Sequence, residues 1–119
     1  MPRLMSVAYT EAAVRARTKT VTRRAGWRKV KVGERLTLCR KVMGRRLGEP
    51  LVRIVDVEVV SVRREPLNAI TPDDVEREGF PGMQPAEFVH RFFVEAQGMD
   101  PTDEVTRIEW RYLDEVTGG

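Results

Sequence analysis

Apolar and polar positions alternate with a period of two in several parts of the chain, the pattern of half-buried strands. In Arg35–Val42, Leu36, Leu38 and Val42 fall on one side and Thr37, Cys39 and Lys41 on the other. Leu51–Arg64 carries the longest β signal, dense in valine and isoleucine. Its 14 residues exceed the usual strand length, so a bend or bulge is expected near Asp56–Glu58. Val105–Leu113 alternates with Thr106, Ile108, Trp110 and Tyr112 inward and Arg107, Glu109 and Arg111 outward. Leu4–Tyr9 is expected as a short first strand.

Helical patterning is confined to three places. Thr10 is the expected N-cap of a short helix, Glu11–Arg17, with Val14 facing inward. Thr71-Pro72-Asp73-Asp74 combines an N-cap, a proline at the first position and acids in the first turn; Gly79 is the expected stop. Pro85 opens a helix to about Gln97, with Phe88, Val89, Phe92, Phe93 and Ala96 as its apolar stripe and Gly98 as its end. His90 lies off that stripe and is expected to be exposed. The order is strand, short helix, loop, strands, two helices, strand. It implies one α+β domain over residues 1–119, built on a curved sheet or barrel. Residues 35–42, 51–62 and 105–112 are expected as barrel strands, with helices at about 72–78 and 85–97 outside.

Composition narrows the classes. The chain has 119 residues, 41% hydrophobic and 33% charged, which fits a globular domain with a modest core. No apolar run approaches the roughly 20 residues needed to cross a bilayer. The start of the chain lacks the plan of a signal peptide, and a cytoplasmic location is expected. The single cysteine, Cys39, excludes an internal disulfide and reads as a small strand residue rather than a nucleophile. One histidine and one cysteine argue against a zinc site; no metal and no cofactor is expected. The net charge of +3 is unevenly distributed. Residues 1–64 carry 17 Lys/Arg against 5 Asp/Glu, and residues 65–119 carry 4 against 13. In one small fold the halves must touch, so part of this charge is paired internally. A basic surplus on one face attracts phosphates.

The chemistry-bearing stretch is Lys19-Thr20-Val21-Thr22-Arg23-Arg24, followed by Gly26-Trp27. It is expected to form a basic loop at the C-terminal end of the first helix, able to hold an anion. Glu78 ends the helix before Gly79, against the negative end of the helix dipole. Two accounts fit an acid there: a salt bridge to Arg23 or Arg24, or a functional acid of raised pKa. Trp27 fits either a base-stacking platform or a hydrophobic plug at the barrel mouth.

Arg17-Thr18-Lys19-Thr20-Val21-Thr22-Arg23-Arg24 resembles the Gly/Arg-x-Lys-Thr-x-Thr-x-Arg signature of ASCH domains, small members of the PUA-like superfamily. Val32–Leu36, the helix ending in Glu78-Gly79-Phe80, and Val105–Trp110 resemble further family segments in the same order. The likeness is closest to the short stand-alone ASCH proteins of phages and bacteria. It implies a PUA-like β-barrel with flanking helices and a basic cleft, binding RNA, modified bases or nucleosides, with RNA favoured over DNA. One branch hydrolyses N4-acetylcytidine to cytidine and acetate with a Lys, a Thr three residues on, and a Glu from a later helix. These correspond to Lys19, Thr22 and Glu78 as catalytic candidates. Arg24 corresponds to the motif's last arginine, and Arg23 stands where the family usually has an apolar residue. Arg23, Arg24 and Trp27 are the substrate-binding candidates, with Arg28, Lys29, Arg45 and Arg46 expected to make the cleft mouth positive. A related branch cleaves RNA. The alternatives to an amidohydrolase are thus a binding module without turnover, a ribonuclease, and an interaction protein docking on an acidic partner.

Overall fold

The computed structural model describes residues 2–113. Strand β1 spans Arg3–Ser6, and a 3-10 turn at Ala8–Thr10 leads into α1, Glu11–Arg15. Strands β2 (Val21–Arg24), β3 (Arg35–Cys39) and β4 (Arg53–Pro66) follow. Helix α2 spans Pro72–Arg77; α3 spans Pro85–Val89 and continues as a π-helical segment, His90–Glu95. Strand β5, Glu104–Tyr112, comes last. The sheet order is β1-β3-β4-β5-β2, with β1 parallel to β3 and the other pairs antiparallel.

The sheet curls into a half-barrel: the element order predicts a curved sheet, and the resemblance implies the PUA-like form of it. The early strand β2 pairs with the late strand β5, so segments distant in sequence meet in the sheet. No ladder joins the edge strands β1 and β2. Instead Arg24 of β2 donates through Nη2 to the Ser6 carbonyl at the end of β1, at 2.7 Å. Inside the curl, Met5, Leu36, Leu38, Val57, Ile108 and Trp110 form a core with the inward Val14 of α1. A second core lies on the outer face, where Val105 and Leu67 meet Val75, Phe88 and Phe93 from the helices.

The bulge in β4 falls at Val59–Ser61, beyond the expected position. Its place follows from the core. Val57 and Val59 are both fully buried, so strict alternation must hold between them. Skipping Val60, which is 41% exposed, lets Val62 join the same core. The parity change also turns Arg63 and Glu65 toward the outer layer. A second irregularity lies where Leu38 and Cys39 face Val55 and Arg53.

Three expectations are corrected. The basic stretch is not a loop: Val21–Arg24 forms β2, in register with β5 from Glu109 to Thr106. Its β-branched residues suit a strand, and only Arg24 escapes full burial. Arg107 does not face solvent. It is 4% exposed, because α2 covers the outer face of β5. The first strand ends at Ser6, so Tyr9 sits in the 3-10 turn.

Helix α2 has the start and stop written in its sequence. The Thr71 hydroxyl accepts from the Asp74 amide. At the other end Phe80 N–H bonds Val75 O and Gly79 N–H bonds Glu76 O, the two bonds of a Schellman motif. Gly79 has φ +108°, and a Cβ there would stand 3.1 Å from Ala13 Cβ. Gly79→Ala should therefore destabilise the protein by about 1–3 kcal/mol, through backbone strain and crowding of α1. Urea unfolding checks this, and an unchanged midpoint would mean the α1–α2 contact is loose.

Candidate active site

Lys19 is placed by backbone hydrogen bonds on both sides. Arg17 leaves α1 with φ +62°, and Thr18 N–H bonds Ala13 O. Thr20 N–H then bonds Arg77 O at the end of α2, while Thr20 O accepts from Trp110 N–H. The Lys19 carbonyl accepts from the Trp110 indole at 3.1 Å and from the Tyr112 hydroxyl. This segment is thus pinned between β5 and the α2 C-terminus. The Lys19 side chain, 3% exposed, runs under that terminus. Its Nζ donates to Glu78 O at 2.7 Å and to Glu78 Oε1 at 3.0 Å. A cation here satisfies a terminal helix carbonyl and offsets the acid at the helix end.

Arg23 of β2 and Arg63 of β4 both stand opposite Arg107 of β5, so three arginines line up across the sheet. Like charges opposite one another repel, and carboxylates interleave with them. Asp74 takes Arg107 through both its oxygens, at 2.7 and 3.0 Å, and also Arg23 at 2.5 Å. Glu65 bonds Arg63 and Arg23, each at 2.7 Å. Glu78 Oε2 accepts from Arg23 at 3.1 Å. Hydrogen bonds from Arg107, followed by burial opposing them and by Arg23, hold the Asp74 carboxyl well below its usual range. Burial pushes Glu65 up, but Arg63 and Arg23 outweigh it and leave its pKa lowered. Part of the opposite charge of the two chain halves is paired in this network: Lys19, Arg23 and Arg63 from the first, Glu65, Asp74 and Glu78 from the second.

Next to the network lies a cavity of about 360 Å³. Lys19, Thr22, Arg23, Arg24 and Glu78 form its polar side. Phe80, Phe88, Phe92 and Phe93 form an aromatic wall opposite, with Tyr9 at the same cavity. Phe88, Phe92 and Phe93 reach the wall from one face of α3 and its π-helical continuation, where Gln97 donates to the Phe92 carbonyl at 2.9 Å. Thr22 Oγ1 accepts from Arg24 Nε at 3.1 Å, which leaves its own proton to donate. Burial drives the Lys19 pKa below the ordinary lysine value, against the opposing pull of Glu78. Burial likewise lowers Arg24.

The structure thus brings Lys19, Thr22, Arg23, Arg24 and Glu78 together and leaves Trp27 out. Trp27 packs on the barrel core, and the Arg3 guanidinium covers its ring at 4.7 Å. Arg23 lines the cavity with its guanidinium committed to three carboxylates. Arg28, Lys29, Arg45 and Arg46 are exposed and lie outside the cavity lining. Cys39 is buried in β3 and His90 is exposed. Asp74 and Glu65 were hidden as a helix-start acid and a strand-end acid; the charge asymmetry between halves was their signal. Tyr9 was hidden in an apparent strand. Among the described residues no group of His, Cys, Asp and Glu could hold a metal, and no helix is long and apolar enough to cross a membrane.

Comparison with solved structures places this architecture. A protein of Enterococcus faecalis V583 from the DUF984 family superposes over the whole chain and 84% of its own, with TM-score 0.73 at 14% identity. The ASCH domain from Lactobacillus crispatus covers 92% of the chain and 79% of its own, with TM-score 0.64 at 15% identity. The ASCH protein from Zymomonas mobilis covers 92% and 64%, with TM-score 0.56 at 13% identity. No protein-family model matches the sequence, and no curated protein matches it. The chain therefore has an ASCH-type fold, PUA-like in its curved sheet and flanking helices.

Proposed function

We propose that the cavity recognises a nucleobase, free or within RNA, and that the protein is an amidohydrolase of N4-acylated cytidine. The observation that carries this reading is the buried Lys19–Glu78 pair, 3.0 Å apart, on one cavity with Thr22. The cavity volume lies in the range of small-ligand sites, about 300–1,000 Å³. Its polar side suits the edge of a base, and its aromatic wall suits the apolar faces.

The chemistry follows from the side chains. Burial favours neutral lysine, which can take the proton of an attacking hydroxyl. The nucleophilic oxygen is that of Thr22 or of a water held by it. As the C–O bond forms at the acyl carbon, Arg24 is the nearest cation to Thr22 for the developing oxyanion. The bond from the acyl carbon to N4 then breaks, and the proton held by the Lys19–Glu78 pair goes to N4. That cleavage frees cytidine; where Thr22 is the nucleophile, a water then hydrolyses the acyl-threonine ester to carboxylate and restores the hydroxyl.

A binding module without turnover is the second reading, favoured by the number of polar groups already paired with one another. Incubating the purified protein with a panel of N4-acylated cytidines, followed by chromatography, tests the first reading by the appearance of cytidine. Nucleoside binding with no product supports the second. Neither binding nor product removes both.

A further inference from the structure

Tyr9 is the chain's unexplained aromatic residue. It is 84% exposed on the 3-10 turn between β1 and α1, so its ring adds little to the core. It nevertheless lines the same cavity as Lys19 and Glu78. Its ring centroid stands 6.1 Å from that of half-buried Phe92, with the planes tilted by 55°. A flat ring seated between two aromatic faces holds them about 7–8 Å apart, two van der Waals contacts. An exposed side chain on a turn can open by that ångström or two. Phe92 cannot shift as freely, because it packs on Phe80 at 4.7 Å and Phe88 at 5.4 Å and its carbonyl is held by Gln97.

We propose, building on the nucleobase reading above, that Tyr9 and Phe92 clamp the faces of the bound base, with Tyr9 as the movable jaw and Phe92 as the fixed one. Tyr9 is then a positioning residue: it holds the ring while Lys19, Thr22 and Glu78 meet its substituted edge. Stacking of this kind tolerates different bases, so the clamp supplies affinity and the polar side supplies selectivity. The phenol hydroxyl is not required, since the contact is made by the ring face.

The test compares wild type, Tyr9→Ala, Tyr9→Phe and Tyr9→Trp, measuring N4-acetylcytidine and cytidine binding by calorimetry and steady-state kinetics on N4-acetylcytidine. Tyr9→Ala should weaken binding and raise KM by about 10-fold or more, the loss of one base–aromatic stack. Its kcat should change far less and its Tm should stay at the wild-type value. Tyr9→Phe and Tyr9→Trp should keep wild-type binding. Equal affinity of wild type and Tyr9→Ala for a nucleoside that wild type binds would overturn the clamp and leave the nucleobase reading standing. Loss of affinity in Tyr9→Phe equal to that in Tyr9→Ala would also overturn it, by making the hydroxyl the contact. Wild type binding no nucleoside at all would overturn both.

Discussion

Lys19→Ala should lower kcat on N4-acetylcytidine by roughly 10²–10⁴-fold, the usual contribution of a positioned general base. Lys19→Arg should be as inactive, because a guanidinium keeps the charge and cannot give up its proton at working pH. Both proteins should fold with reduced stability, since Lys19 is one partner of a buried ion pair. Glu78 retains Arg23 at 3.1 Å when Lys19 is removed, and no apolar contact of either core is lost. The wild-type pH profile carries a second mark of the same group. In the proposed mechanism neutral Lys19 is the active form, so kcat/KM should rise with pH and level off below the ordinary lysine range, since burial lowers this pKa. Steady-state kinetics on circular-dichroism-matched proteins checks both expectations. Activity retained in Lys19→Arg would transfer the role from proton acceptor to fixed charge.

Asp74→Ala should be the most destabilising single change at the site, by about 3–5 kcal/mol, the scale for removing one partner of a buried ion pair. The reason is that Asp74 serves two arginines. Arg107 loses a two-pronged partner and Arg23 loses one of three. Arg107 keeps Glu109 at 3.3 Å, which is more exposed and makes one contact. The dependence on pH has a definite sign. The folded-state pKa of Asp74 lies below the unfolded value of about 3.9. Its contribution is fully present above that value and disappears as pH falls through the folded one. Glu65 acts in the same direction. Wild type should thus lose stability steeply below about pH 4, and Asp74→Ala should show a shallower acid limb from a lower plateau. Urea titrations at pH 3 to 7 measure both. A loss under about 1 kcal/mol would show that the arginine row is satisfied by solvent instead.

Much of the fold was legible because its elements obey local rules. The caps of α2 were written by Thr71, Pro72 and Gly79, and the strand pairs by period-two alternation in β3, β4 and β5. Legibility failed where both faces of the sheet are covered. Periodicity assigns polar residues to solvent, but Arg107 and Arg23 lie beneath α2, neutralised by residues distant in sequence. Burial of charge by long-range pairing has no local period. The strand identity of β2 was masked for the same reason: two arginines and a threonine in four residues read as a solvated loop. The bulge in β4 was legible as a need, from strand length, and not as a position, since Val57, Val59 and Val62 share a core only once the sheet is folded.

For the candidate site, the motif and the misplaced acid at the end of α2 were visible beforehand as Lys19, Thr22, Arg24 and Glu78. Their common cavity needed the crossing of Thr20 over the end of α2. Trp27 was drawn in by its nearness in sequence, and its positive φ of 55° turns the chain away after β2. The aromatic wall was recognised as an apolar stripe, but that part of it lines a cavity shared with Lys19 and Glu78 depends on tertiary packing, which has no local period.

The reaction proposed for this cavity is hydrolysis of an acyl amide on cytosine. Its most direct measurement is proton NMR of N4-acetylcytidine incubated with the purified protein. The acetyl methyl signal should be replaced by that of free acetate in step with cytidine, and Lys19→Ala should prevent this. An unchanged acetyl signal at protein concentrations equal to substrate, over hours, would contradict it.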